Sequence, residues 1–384
     1  MTATVTATAT VPGPVDIVCL GESMVTFVPT APGRLADVPS FVRGIGGAES
    51  NVACGLAASG HRAKWVGRVG ADGFGEHLVA AIASYGVDTS AVQRDPDRPT
   101  GIYFRTAGER ATGTAGEEPD RAEVVYYRAG SAASAMSPST MRYEDLWSGR
   151  ILHLSGITAA LSADCLSLVR ALTTRSPSRP LVSFDVNYRV NLWQDAADLR
   201  VLLDLARGAD IVFVGEDEAE AAWGVRGAAA IREALPEPEV LVVKRGARGA
   251  VAYARCAAPV PYRTPSASNA DGAGFPPDTV TDEPAPRVDV VAPVGAGDAF
   301  AAGFLSATLR GLSAHQRLRY GHLMAAATLT VAGDLAVPPA RAYADRLVAL
   351  DARDWGRLRL GPGWTATAEQ HPQGRQDPQE VRIP

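Results

Sequence analysis

Lysine is nearly missing from this 384-residue chain. Lys64 and Lys244 are the only two, and arginine supplies the rest of its 37 basic residues. Set against 42 acidic residues this leaves a net charge of −5, which gives nucleic acid or an anionic membrane no reason to bind. The arginine bias, together with abundant alanine, reads as composition rather than function. Cysteine is scarce too. Cys19, Cys54, Cys165 and Cys256 lie far apart, form no C-x-x-C pair and have no histidine cluster beside them. A zinc site or a disulfide framework is therefore not expected, and a reducing cytoplasm is. No apolar run is long enough to span a bilayer, and the opening "MTATVTATATVPGP" lacks the basic and apolar regions of a signal peptide.

What is present is a hydrophobic content of 46%, ordinary for a globular protein with an ample core. Short apolar runs alternate with helical patterns. "DIVCLG" (16–21), "AKWVGRVG" (63–70), "RILHLSG" (150–156), "PLVSFDV" (180–186), "ADIVFVG" (209–215) and "VLVVKRG" (240–246) read as strands. "AESNVACGLAASG" (48–60) and "GEHLVAAIASYG" (75–86) read as helices closed by glycine. Repeated βα units imply a mainly parallel sheet covered by helices on both faces, with ligands beyond the carboxyl ends of the strands. Asp185, Gly215 and Lys244 fall at such ends. "GIYFRT" (101–106) and "AEVVYYRAG" (122–130) interrupt the rhythm as hairpin strands of a separate small sheet. Residues 1–14 and 361–384 are expected to be disordered tails. The Pro/Gly/Ser/Asp-rich stretch 264–287 is expected to be a mobile loop.

The chemistry concentrates in "VVAPVGAGDAF" (290–300), a Gly-Ala-Gly turn that opens a helix and carries a carboxylate, Asp298. Helix N-termini collect anions, so a negative side chain there needs a reason. The spelling excludes a P-loop, because Ala63 and Val243 precede the two lysines, and Phe300 breaks a dinucleotide-binding G-x-G-x-x-G. Two readings remain open on these residues alone. Asp298 caps the helix, or the backbone N–H groups of Gly295, Ala296, Gly297 and Asp298 hold a transferring phosphoryl group while Asp298 accepts a proton from the attacking hydroxyl.

"PVGAGDAF" resembles the C-terminal signature of the PfkB/ribokinase-type carbohydrate kinases, and "GGAESNVACGLAASG" (46–60) resembles their N-terminal signature. The two stand in the right order, and the resemblance covers about residues 15–350. It implies a Rossmann-like α/β/α sandwich (ribokinase-like) with a small β-sheet lid, its strands within about 22–48 and 100–130. It also implies ATP and Mg2+ as cofactors, Asp298 as catalytic base, the amides of Gly295, Ala296 and Gly297 as an anion hole, and Lys244, Gly246 and Gly249 of "KRGARG" along the nucleotide. "GEDEA" (215–219) is similar to the family's N-x-x-E, whose Glu holds Mg2+ through water. That implies the role for Glu218, although Gly215 replaces the Asn. A solvated helix-face role for Glu218 is the other reading. Ala292 stands where the family often has an Asp that helps bind a monovalent cation, which argues against strong potassium activation.

Within the family the chain most resembles the 2-keto-3-deoxygluconate kinases, on "GGAESNVA", "TGIYFR", "VVYYRAGSAAS", "LHLSGI" and "SFDVNYRVNLW". That resemblance implies a sugar-acid substrate, bound by Gly47, Asn51 and Asn187, by Tyr103 and Tyr126 from the lid, and by Arg128 and Arg189 at its carboxylate. Arginine suits a planar carboxylate because it can bind it bidentately. Plainer readings are core packing for the tyrosines and for Trp193, and an ion pair of Arg189 with Asp185. Another sugar kinase of the family (for fructose, ribose or a nucleoside) and a catalytically silent sugar-binding or regulatory protein are the alternatives. A small-molecule partner is expected, with no nucleic acid and no membrane, and a homodimer through the lid.

Overall fold

The computed structural model describes residues 14–106, 123–193, 196–255, 275–369 and 382–383. Twelve strands carry the two sheets that matter for the site, and two more pair with each other. They are β1 (Val15–Leu20), β2 (Met24–Pro29), β3 (Phe41–Gly46), β4 (Ala63–Val66), β5 (Arg68–Gly70), β6 (Gln93–Asp95), β7 (Ile102–Arg105), β8 (Val124–Tyr127), β9 (Gly149–Ser155), β10 (Leu181–Asp185), β11 (Ile211–Gly215), β12 (Val240–Lys244), β13 (Ala250–Ala254) and β14 (Thr279–Glu283). The main sheet runs β14-β13-β12-β11-β10-β9-β1-β4. Its six strands from β4 to β12 pair parallel, as the βα rhythm requires. β13 and β14 then add antiparallel.

That edge corrects the expected loop over 264–287. Its first part, up to 274, lies outside the described residues, but Thr279–Glu283 is a sheet strand in register with Ala250–Ala254. An exposed edge strand keeps polar residues on one face, which gave it the composition of a loop. "AKWVGRVG" is likewise two strands. β4 joins the main sheet while β5 pairs with β6.

Alternate residues of the main strands feed opposite faces, as a pleated strand requires. Val18, Leu20, Leu152, Leu154, Val182, Phe184, Val212, Val214, Leu241 and Val243 pack on one side with the Ala163–Thr173 and Ala196–Gly208 helices. Ile17, Cys19, Ile151, Ile211, Phe213, Val240 and Val242 pack on the other. This second face is covered by the Ala48–Ala58 and Ala296–Leu309 helices. The two signatures, at opposite ends of the sequence, thus share one layer. Cys19, Cys54 and Cys165 are free and buried, and Cys256 lies outside the described residues.

A second sheet, β3-β2-β7-β8, stands apart from the first. β2 pairs antiparallel with β3 and parallel with β7, and β7 pairs antiparallel with β8. Phe27 stacks on Phe104 at 4.8 Å, with Phe41 edge-on at 5.2 Å, so this small sheet has its own aromatic packing. At the other end of the chain, Trp364 is completely buried with Trp355, Leu358 and Leu360. Packed chain therefore continues beyond Gly361, where the sequence reading began a tail. No helix among the described residues is long and apolar enough to cross a membrane.

Candidate active site

Gly295 adopts a left-handed conformation (φ 77°) and caps the Ala296–Leu309 helix without any side-chain bond. A Cβ here would lie 2.3 Å from the backbone oxygen of Asp334, so both the dihedral and the close approach require glycine. Ala296, Gly297 and Asp298 form the first turn, whose N–H groups have no intrahelical acceptors. The cap reading of Asp298 is not what the structure shows. The capping residue is Gly295, and Asp298 Oδ2 instead accepts a hydrogen bond of 2.9 Å from Asn51 Nδ2. Asn51 stands in the first turn of the Ala48–Ala58 helix, after Gly47 as N-cap. The surrounding protein pushes the Asp298 carboxyl up to about 7. Burial is the main cause, the Asp185 charge adds to it, and the Asn51 bond, Arg189 and Lys244 oppose it.

At the strand ends opposite this turn, Lys244 Nζ bonds both oxygens of Asp185, at 3.0 and 2.9 Å. It also lies 3.7 Å from where a Cβ of Gly297 would stand, which brings the sequence-selected lysine against the turn. The charges of Asp185 and Glu218 raise the proton affinity of Lys244 despite its burial. The ion pair of Arg189 with Asp185 is not formed. Arg189 lies 3.6 Å from Glu218 Oε1 and bonds its neighbour's carbonyl, Tyr188 O, at 2.9 Å. Asn187, buried between them in sequence, takes a left-handed φ of 42° that turns the chain after β10. Glu218 Oε2 accepts from the Gly215 N–H at 2.7 Å. Glu218 thus closes the first turn of its own helix onto Gly215, the residue that stands where the motif has asparagine. Trp193 is buried in the core, as its packing reading has it.

Gly246 and Gly249 flank a tight turn after β12. Gly249 has φ 109°, and a Cβ there would lie 2.2 Å from Glu283 O. This turn sits farther along the sheet edge than Lys244, beside β14.

The lid supplies the third group. Tyr103 is buried, its ring 5.3 Å from that of half-exposed Tyr126. Arg128 lies over the Tyr126 ring at 5.7 Å and pairs through Nη2 with the buried Glu22, which also accepts from Ser131 Oγ at 2.6 Å. Arg128 and Arg189 each keep an acidic partner of their own. Sequence reasoning missed one residue outright. Asp334 accepts from Tyr103 Oη at 3.1 Å and from Arg105 Nη2 at 2.6 Å, while its backbone packs on Gly295. Burial raises its carboxyl above the ordinary value. Its local sequence, "VAGDLAV", has no signature, and only the pairing across the fold reveals it.

Among the described residues no three His, Cys, Asp or Glu side chains group as a metal cluster. Magnesium commonly sits on one or two carboxylates, waters and substrate phosphates, and a partly exposed Glu218 in the first turn of the Glu216–Trp223 helix, with one oxygen turned toward Arg189, fits such an outer position.

The pfkB family of carbohydrate kinases matches residues 15–341. This chain belongs to that family. The helices joined by Asn51 and Asp298 carry the two spellings that resemble the family's signatures. The chain is 32% identical over 332 residues to 2-dehydro-3-deoxygluconokinase of Bacillus subtilis (strain 168), covering 85% of this chain and 93% of that one. It is 30% identical over 338 residues to the enzyme of the same name from Thermoproteus tenax, covering 87% and 94%. The chloroplastic probable fructokinase-6 of Arabidopsis thaliana is 29% identical, covering 85% and 80%. Among solved structures, a PfkB protein from Polaromonas sp. JS666 superposes with a TM-score of 0.68 at 30% identity, covering 88% of this chain and all of that one. An uncharacterized sugar kinase from Pyrococcus horikoshii in complex with ATP superposes at 0.68 and 24% identity, covering 88% and 99%. The fold is the ribokinase-like α/β sandwich, and the protein is a sugar kinase.

Proposed function

We propose that this kinase transfers the γ-phosphate of ATP to the terminal hydroxyl of 2-keto-3-deoxygluconate, with Asp298 as catalytic base. The observation that carries the reading is the Asn51–Asp298 contact, which aims a carboxylate of raised proton affinity across the mouth of a helix N-terminus. The hydroxyl oxygen attacks the γ-phosphorus, the bond to the ADP oxygen breaks, and Asp298 takes the hydroxyl proton. The amides of residues 295–298 hold the phosphoryl oxygens, and Lys244 faces them from the strand ends. Gly246 and Gly249 shape the turn that the nucleotide lies along. Magnesium bound with the nucleotide neutralises phosphate charge, and Glu218 is the carboxylate this chain offers it through water.

The substrate assignment is supported by the names of two relatives that are at least 30% identical over 85% or more of this chain. It is also supported by the two arginines, Arg128 beneath the lid and Arg189 beyond β10. In this reading Gly47, Asn51 and Asn187 meet the sugar hydroxyls, and Tyr103 and Tyr126 cover the sugar. A neutral ketose is the second reading. A fructokinase is among the relatives, and Glu22 and Glu218 already engage the two arginines. Initial rates with ATP over a panel of 2-keto-3-deoxygluconate, fructose, ribose and a nucleoside separate these. A kcat/KM for fructose equal to or above that for the acid refutes the first reading. A homodimer through the lid belongs to the same proposal, supported by the exposed Val42 and Tyr127 on its two edge strands. Light scattering of the intact chain tests it.

A further inference from the structure

Asp185 ends β10 and Lys244 ends β12, with β11 between them. Strands stand about 4.8 Å apart, so the two backbones are separated by roughly 9–10 Å. A lysine stem at a sheet edge has four rotatable carbons and many conformations. Here it is drawn sideways across the sheet, because both carboxylate oxygens of Asp185 take its ammonium, at 3.0 and 2.9 Å. The carboxylate is almost wholly buried and has no other cation beside it within ion-pair distance among the described residues. In that pose the ammonium stands 3.7 Å from the Cβ position of Gly297, facing the helix turn that suits an anion.

We propose that Asp185 is a positioning residue of the phosphoryl transfer. It touches neither nucleotide nor sugar, and holds Lys244 in place to receive the transferring phosphoryl group. The inference rests on the reading of Lys244 as a contact to nucleotide phosphate. The ammonium has three N–H donors, and Asp185 takes two directions on one side of it, leaving donor capacity toward the turn. Bound phosphate oxygens then meet a cation already in place rather than one recruited from solvent, which is where preorganised charge gains most. Glu218 contributes charge nearby but no bond to Lys244, since its oxygens face the Gly215 N–H and Arg189.

A double-mutant cycle on the full chain tests this. Charge-assisted hydrogen bonds correspond to about 10- to 100-fold in rate. Asp185→Asn is expected to lower kcat by about that factor, with the sugar KM changed by less than about twofold. Asp185→Glu keeps the charge but displaces it by one methylene, and is expected to recover part of the loss. It also serves if the Asn variant folds poorly. In a Lys244→Met background both substitutions should change kcat by less than about twofold, because there is no ammonium left to position. Equal losses in the two backgrounds, or an Asp185→Asn enzyme with normal kcat, overturn the proposal for Asp185. A Lys244→Met enzyme with normal kcat and normal KM for ATP overturns the reading of Lys244 itself, and the inference falls with it.

Discussion

Asn51 Nδ2 and Asp298 Oδ2 are 2.9 Å apart although 247 residues separate them in the chain. The amide donates to the charged carboxylate and so works against the burial that raises its proton affinity. Removing the donor with Asn51→Ala should therefore move the acid limb of the pH–kcat profile to higher pH. An unmoved or lowered limb would show that the amide does not stabilise the carboxylate form.

In the role of base proposed for Asp298, the rate should rise with pH through about 7 as the carboxyl loses its proton. Asp298→Asn should lower kcat by about 10² to 10⁴-fold while retaining nucleotide binding. Its effect on stability has the opposite sign. The folded-state pKa lies above the ordinary value of 3.8, so the folded protein binds more protons between the two values and wild-type stability falls as pH rises through that window. The Asn variant has no such titration. Its melting temperature should gain on that of the wild type between about pH 4 and pH 8. A gap that stays constant across this range would contradict the raised pKa.

The two arginines should behave differently when truncated. Arg189 has 35% of its side chain exposed and a loose ion pair, whereas Arg128 is 12% exposed and balances the buried Glu22. Arg189→Ala should lower kcat/KM for the sugar acid by about 10- to 100-fold, leave turnover of fructose little changed and barely alter stability. Arg128→Ala strands a buried carboxylate, a defect that typically costs about 3–5 kcal/mol, and should be seen first as a lower melting temperature. Measured with both sugars, an unchanged acid-to-neutral ratio in Arg189→Ala would favour the neutral-ketose reading.

Gly295→Ala places a Cβ at a left-handed φ and within 2.3 Å of Asp334 O. The dihedral alone costs about 1–2 kcal/mol. The turn must shift to relieve the contact, so activity should fall more than stability. A variant with wild-type kcat would mean that the placement of the turn is not critical.

The parts of the fold legible in the sequence were those written locally. Short apolar runs revealed the parallel strands β1, β4, β9, β10, β11 and β12, and two glycine-rich spellings revealed the helix starts that bear Asn51 and Asp298. β14 was hidden because an exposed edge strand, "TVTDE", is as polar as a loop. Trp364 was hidden because its polar, glycine- and proline-bearing neighbours outweigh one aromatic. The ion pairs resisted reading most. The plainer reading of Arg189, an ion pair with Asp185 close by in sequence, fails because β10, β11 and β12 carry Lys244 to Asp185 and leave Arg189 to Glu218. Asp334 had no local signal, since its partners Tyr103 and Arg105 lie 231 and 229 residues away.

Asp334 joins β7 of the lid to the glycine turn at the start of the Ala296–Leu309 helix. A residue shared in this way offers a physical route for coupling between sugar and nucleotide, and any such coupling is thermodynamically reciprocal. Whatever factor bound sugar gains in nucleotide affinity, bound nucleotide must return to the sugar. Calorimetric titration of each ligand in the presence and absence of the other, with a non-hydrolysable ATP analogue, should give one coupling factor from both directions. Arg105→Gln should bring that factor toward unity.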